Sequence, residues 1–451
     1  MEKVSKALNE SALLRWLVLI LVGFVLSVNY YFYDAFSTLK DMLLKEFNFS
    51  NTDYGLFVSF YSIPNTFLLM AIIGGAILDR YGIRRTGFAF VFLMALGALL
   101  TAYGASDFYS AGGPGKVFMA SFLPQYSPEL KMMLLGRFFF GLGAETSIVV
   151  VSKILVKWFK GKNLALAFGL KVGFGRLGTF AALQFSPVIA EGGHLSAAIW
   201  LAAMLVVIGL LAFLVYMFMD AKLDRQIAIT TPPAAAEKFS FADIKVILMN
   251  RPFLYIVLLC VTFYSAVFPF VAYAPDFFAD KFGYSAVQSG RITSLLPIGT
   301  AFFTPFFGFV IDKYGKSATA MILGSLIVLG VHLTFAYTSI SPYIPVIFLG
   351  IAFSLVPAAM WPSMVRLVKE SRIGAAYGIM YSVQNLGLWG VPLLAGIILD
   401  KTNPGNPVVA DYTYTILMFA GLGLVGLVFS LMLKFEDKKK GFGIELPLNK
   451  K

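Results

Sequence analysis

Cysteine, histidine and charge are all scarce in this chain. One cysteine, Cys260, excludes an intrachain disulfide framework and any clustered-thiolate metal site. The two histidines, His194 and His332, fall far apart and suggest no shared ligand, so neither a metal centre nor a cofactor is expected. Only 13% of the 451 residues are charged, against 59% that are hydrophobic, a balance that excludes a water-soluble globule. No polar stretch is long enough to bury a catalytic core. The apolar runs hold no paired carboxylates, His-rich motif or nucleophile with a base, so an enzyme is not expected either.

What is present is a series of apolar runs of about 20 residues, the length that crosses a hydrocarbon core of about 30 Å as a helix. Twelve are read: Leu13 to Tyr33, Tyr54 to Ile77, Thr86 to Tyr103, Met132 to Leu155, Leu164 to Ile189 and Ala197 to Met219 in the first part of the chain. Phe253 to Ala274, Ile292 to Ile311, Ala318 to Ala336, Tyr343 to Val365, Ala375 to Leu399 and Tyr412 to Leu433 follow. The first run is too long, and too poor in a small-residue cleavage site, for a signal peptide. The formal charge of +12 does not point to nucleic acid, because most of the 36 lysines and arginines lie in the termini and the even-to-odd loops. That asymmetry predicts cytoplasmic termini, with Lys438 to Lys440 as a topology anchor.

Ionisable residues interrupt these runs. Glu145 lies near the middle of the fourth; Lys171 and Arg176 lie within the fifth. A charge near the bilayer centre costs at least about 2.5–3.5 kcal/mol, so such residues face a partner or a water-filled path. Counting helical rise places Glu145 and Arg176 at similar depth, and Glu145 is the only acidic residue expected deep in a span. Lys171 is turned about 140° from Arg176 and falls on another face. Two readings stay open: a static ion pair pinning the fourth span to the fifth, or a clamp for a zwitterion. In the clamp, Glu145 takes an ammonium and Arg176 takes a carboxylate in the two-pronged geometry arginine favours.

Two loops repeat one order. Gly75-Ala-Ile-Leu-Asp79-Arg80-Tyr-Gly82-Ile-Arg84-Arg85 follows the second span, and Gly308-Phe-Val-Ile-Asp312-Lys313-Tyr-Gly315-Lys316 follows the eighth. Gly82 and Gly315 permit a tight turn, and Asp79 and Asp312 can accept from backbone N–H groups or a helix N-terminus. The order resembles the signature cytoplasmic motif of the major facilitator superfamily, present once in each half. The halves repeat elsewhere: Gly175-Arg176-Leu-Gly178 aligns with Gln384-Asn385-Leu-Gly387, so Arg176 corresponds to Asn385.

The resemblance implies an all-α membrane protein of twelve transmembrane helices in two six-helix halves, with substrate bound between them near the midplane. The expected divisions are an N-terminal half over residues 1–219, a cytoplasmic linker over 220–251, a C-terminal half over 252–434 and a tail over 435–451. Gating on the cytoplasmic side is expected of Asp79, Arg80, Arg84, Asp312 and Lys313. Arg137, with Gly141 and Gly143, resembles a further superfamily motif and is a candidate for coupling beside Lys171, although snorkelling to the interface explains Arg137 equally well.

Several blocks are similar to one branch, the lysosomal dipeptide carriers. They include Gly136-Arg-Phe with Gly143-Ala-Glu145, Trp158-Phe-Lys-Gly-Lys162, Ala266-Val-Phe-Pro-Phe270 and Gln384-Asn-Leu-Gly-Leu388. In that branch the acid of the fourth span and the arginine of the fifth bind the peptide's termini, which implies Glu145 and Arg176 here. Tyr33, Tyr264, Trp361, Tyr381, Gln384 and Asn385 are further candidates for substrate contact. The expectation is a carrier moving small zwitterions, dipeptides by preference, by facilitated diffusion. The alternative is a proton-coupled carrier or antiporter of organic anions or amphipathic drugs, with Glu145 titrating. No acidic dileucine signal stands at the required spacing before Leu13-Leu14, which favours a prokaryotic plasma membrane over a lysosomal one. The expected partners are the substrate and the lipid bilayer.

Overall fold

The computed structural model describes residues 8–192, 195–227, 247, 249–369, 372–405 and 407–447. His194 and most of the expected linker lie outside them. All regular structure among the described residues is helical. The first span is Ala12–Ala35, the fourth Pro128–Phe159, the fifth Leu164–Gly192 and the sixth Leu195–Ile227. The seventh is Arg251–Phe282, the ninth Ser317–Tyr337, the tenth Tyr343–Leu367, the eleventh Ile373–Thr402 and the twelfth Thr413–Lys440.

The second, third and eighth spans are less regular. The second is built from Asn51–Phe60, Ile63–Phe67 and the first part of a longer helix, Met70–Gly104. Pro64 has no N–H to return to a carbonyl four residues back, so the helix breaks before it. Leu69 then takes a left-handed conformation and breaks it again. Within Met70–Gly104, Gly82 has a φ of +81°, turning the chain from the second span into the third. The corresponding Gly315 has a φ of +72° and lies between the eighth span, Ala286–Thr293 with Leu295–Tyr314, and the ninth.

The first six spans pack as one group and the last six as another, and the groups meet where the second span touches the eleventh and the fifth touches the eighth. The polar bonds that join them cluster on the face opposite the termini. Asp400 of the eleventh span accepts from Asn51 N–H (3.0 Å) and Thr52 N–H (2.8 Å), capping the broken second span across the interface. Tyr54 donates to the carbonyl of Ala272 at 2.9 Å, and Gln184 to Ser294 at 2.8 Å.

Helices run past the expected boundaries on the termini face because their charged ends find partners. The sixth span continues beyond Met219 to Ile227, where Asp220 and Asp224 receive Lys157 and Arg84. The twelfth continues to Lys440, and the chain then folds back against its own half. There Glu445 accepts from Thr319 N–H at 2.8 Å, capping the ninth span, and Arg366 donates to the carbonyl of Pro447 at 2.7 Å. The long segment after the third span is also folded, with helices Asp107–Ser110 and Lys116–Ala120 and a Lys116–Glu129 ion pair of 2.8 Å.

Candidate functional site

The break in the second span places Tyr61 beside the fourth span. Its hydroxyl donates to Glu145 Oε1 at 2.6 Å. Asn65, which is buried, lies close to the same carboxylate, and Asn65, Ser62 and Thr146 carry side-chain atoms with no hydrogen-bond partner among the described residues. The acid therefore sits in a polar setting built by the irregular backbone, with no ion pair to a described cation.

Arg176 is held on the other side of this space. Gly178 brings the fifth span against the first so closely that a Cβ there would lie 2.0 Å from the carbonyl oxygen of Ser27. The Arg176 guanidinium lies 5.1 Å from the ring of Phe353 in the tenth span, and no described carboxylate forms an ion pair with it. Static Glu145–Arg176 pairing is thus not the arrangement. Tyr30 lies within electrostatic reach of both.

Glu145 is joined by a buried acid at the end of the first span. Asp34, at the end of the first span, is 5% exposed, lies against Thr179, and has Arg176 and Arg137 as the cations within reach. Arg137 does not snorkel. It is 1% exposed, with its guanidinium 4.7 Å from the Phe57 ring and 5.2 Å from those of Tyr33 and Phe36. Its Nε and Nη1 have no hydrogen-bond partner among the described residues. Lys171 points elsewhere and donates to Ser152 Oγ at 2.6 Å.

In the C-terminal half the rings of Trp361 and Tyr381 lie 4.6 Å apart, and Trp361 Nε1 donates to the Tyr264 hydroxyl at 3.0 Å. Gln384 turns toward Cys260, whose Sγ lies 3.7 Å from Oε1, while Asn385 donates to the Tyr381 carbonyl of its own helix at 3.0 Å. Both amides are buried inside their half. Tyr33 packs edge-on against Tyr61 at 4.6 Å.

Among the gating candidates, Asp79 pairs with Lys153, and Arg84 with Asp224 at 3.0 Å, all within the first half. Arg80 lies over Tyr81. Asp312 and Lys313 are exposed, with Lys313 5.1 Å from the Tyr314 ring. Around Asp79 and Arg84 is a recess of about 690 Å³ on the termini face.

The sequence matches the family model of the Major Facilitator Superfamily over residues 19–389 and 275–443. The chain belongs to the major facilitator superfamily. It is 30% identical over 443 residues to a Danio rerio protein named lysosomal dipeptide transporter MFSD1, covering 96% of this chain and 89% of that one. The human protein of the same name is 30% identical over 398 residues, covering 86% and 80%. A crystal structure of a bacterial homologue of the human lysosomal transporter Spinster, inward-facing and occupied, superposes with a TM-score of 0.69 at 15% identity, covering 95% of this chain and 98% of that one. At that identity the likeness is one of fold. As a superfamily member the molecule is a multi-pass membrane transporter and not an enzyme.

Within this superfamily fold, the polar residues that join the halves opposite the termini escaped the sequence reading. Lys40 is 2% exposed, pairs with Asp276 of the seventh span and donates to the Tyr412 hydroxyl at 3.1 Å. Pro275 and Asp276 lie inside the seventh span, which continues to Phe282, so nothing local points to Lys40 as the partner.

Proposed function

We propose that this transporter carries dipeptides by alternating access, Glu145 receiving the free ammonium and Arg176 the free carboxylate. The observation that carries the reading is that, among the described residues, neither Glu145 nor Arg176 forms an ion pair, although Asp34 lies within reach of Arg176. A zwitterion supplies both counter-charges at once. A lone cation or anion supplies one and leaves the other charge desolvated. The names of the MFSD1 relatives support the same substrate class. We read the termini as cytoplasmic from the lysine and arginine bias, the membrane as a prokaryotic plasma membrane, and transport as facilitated diffusion.

Asp34 favours a second reading, a proton-coupled carrier. A buried acid within reach of two arginines can exchange a proton as those cations find or lose a substrate carboxylate.

Thermal stabilisation of the purified protein by dipeptides, single amino acids, organic anions and sugars tests the first reading, because ligand binding to the folded state raises its stability. A shift for dipeptides that vanishes in Arg176→Ala and Glu145→Gln is expected. A shift for organic anions alone, or none for any peptide, overturns it.

A further inference from the structure

The wall facing the Glu145 and Arg176 clamp is chemically graded from one end to the other. Beneath the Arg176 guanidinium lies Phe353, and around Phe353 lie Phe268 at 5.1 Å and edge-on, and Phe263 at 6.1 Å and parallel. Tyr264 closes this group at 5.6 Å from Phe353, but its hydroxyl is taken by the Trp361 indole. On the C-terminal half the side facing Arg176 is therefore mostly ring hydrocarbon, with Phe353 2% exposed beneath the guanidinium and Phe268 part-exposed beside it, while Tyr30 and Asp34 of the first half lie within reach of the same guanidinium. Toward Glu145 the wall changes. Tyr381, which is 43% exposed, lies within electrostatic reach of Glu145 and stacks near Trp361. A phenol hydroxyl on an exposed ring can meet a polar or cationic side chain as well as an apolar one.

A dipeptide has a fixed polarity, so a clamp that orients its termini also assigns its side chains. The residue bearing the carboxylate lies next to Arg176, and its side chain meets the phenylalanine floor. The residue bearing the ammonium lies next to Glu145, and its side chain meets Tyr381 and Trp361. From this gradient we infer that Phe353, with Phe268, is a specificity-determining residue that selects an apolar or aromatic side chain on the carboxyl-terminal residue of the substrate, whereas the amino-terminal position accepts charged and apolar side chains alike. The physical basis is asymmetric: an apolar side chain gains by leaving water, whereas a charged one set against ring hydrocarbon loses hydration. The inference rests on the proposed orientation of the dipeptide in the clamp.

The test uses the full-length purified protein and four probes, Gly-Phe, Gly-Lys, Phe-Gly and Lys-Gly, with Kd measured by calorimetry. Gly-Phe is expected to bind about tenfold or more tighter than Gly-Lys, with Phe-Gly and Lys-Gly within a few-fold of each other. In Phe353→Ala Gly-Phe loses more affinity than Gly-Lys, Phe-Gly or Lys-Gly, so its advantage collapses. Phe268→Ala is the second variant, and the wild-type ranking decides by itself should either variant fail to fold. Equal affinities for Gly-Phe and Gly-Lys, discrimination at the amino-terminal position instead, or a uniform loss across all four probes in Phe353→Ala overturns the inference while leaving the dipeptide reading in place. Absence of binding by all four probes removes the dipeptide reading and the inference with it.

Discussion

Lys40 and Asp276 form a buried ion pair that crosses from one six-helix half to the other on the face opposite the termini. The Lys40 ammonium lies 5.7 Å from the rings of Tyr273 and Tyr412 and 5.8 Å from that of Tyr54, so the pair is enclosed by aromatic faces from both halves. An opening of this face in an alternating-access cycle has to separate these groups and rehydrate them. The closed arrangement therefore depends on a contact whose partners are 236 residues apart.

Removing one member of a buried pair strands the other, at a cost of about 3–5 kcal/mol. Lys40→Met and Asp276→Asn are each expected to shift the molecule toward opening on this face. A cysteine placed there is then labelled faster by a membrane-impermeant thiol reagent. Cys260, the only native cysteine, is buried and leaves a quiet background. The double variant Lys40→Met with Asp276→Leu, which strands no charge, is expected to label more slowly than either single variant. Unchanged labelling in both single variants argues that the pair does not hold the face closed.

Asp400 acts on the same face by another route. It caps the helix Asn51–Phe60 from across the interface, accepting four hydrogen bonds from Asn51 and Thr52. Asp400→Ala is expected to cost about 1–2 kcal/mol, read as a lower Tm. Because the cap also joins the halves, the loss should add to that of Lys40→Met only in part, which a double-mutant cycle measures.

The residues that could be read in the sequence share one property, contrast with their surroundings. Glu145 and Arg176 stand out in apolar runs, and Gly82 and Gly315 stand out within a repeated order. The break before Pro64 was missed because a hydropathy run measures apolar content and takes no account of the backbone. Asp34 follows Tyr30 to Tyr33 at the end of a span, and only packing of the fifth span against the first reveals its burial. Lys40, Asp276, Asp400 and Glu445 look like ordinary loop or helix-end charges. Each gains its role from a partner far away in the chain, which no local pattern encodes.

Tyr61 holds Glu145 through one hydrogen bond of 2.6 Å. Tyr61→Phe keeps the ring against Tyr33 and removes that bond, so the Glu145 side chain loses its aim. A single bond to a charged group contributes about 1.5–3 kcal/mol, and part of that is recovered from the Asn65 amide nearby. A three- to thirtyfold rise in dipeptide Kd, about 0.7–2 kcal/mol, with little change in Tm is expected from calorimetry and thermal unfolding. A loss as complete as that of Glu145→Gln would mean that the phenol itself contacts substrate.

Asp34 separates the two transport readings. In proteoliposomes with a known internal pH, facilitated diffusion predicts that dipeptide flux follows the dipeptide gradient and is the same for either sign of an imposed pH gradient. Proton coupling predicts flux against the dipeptide gradient when protons run with it. Asp34→Asn keeps the shape of the side chain and its capacity to bond Thr179, but it can neither release a proton nor offer a negative charge to Arg176 and Arg137. If Asp34 carries the proton, the variant should still exchange dipeptide across the membrane while losing all response to the pH gradient. If Asp34 serves only to balance the arginines, the wild type shows no such response, and the variant binds the peptide carboxylate more tightly because Arg176 has one competitor fewer. The two outcomes differ in the wild type as well as in the variant, so the pair of measurements assigns the mechanism even where one protein transports poorly.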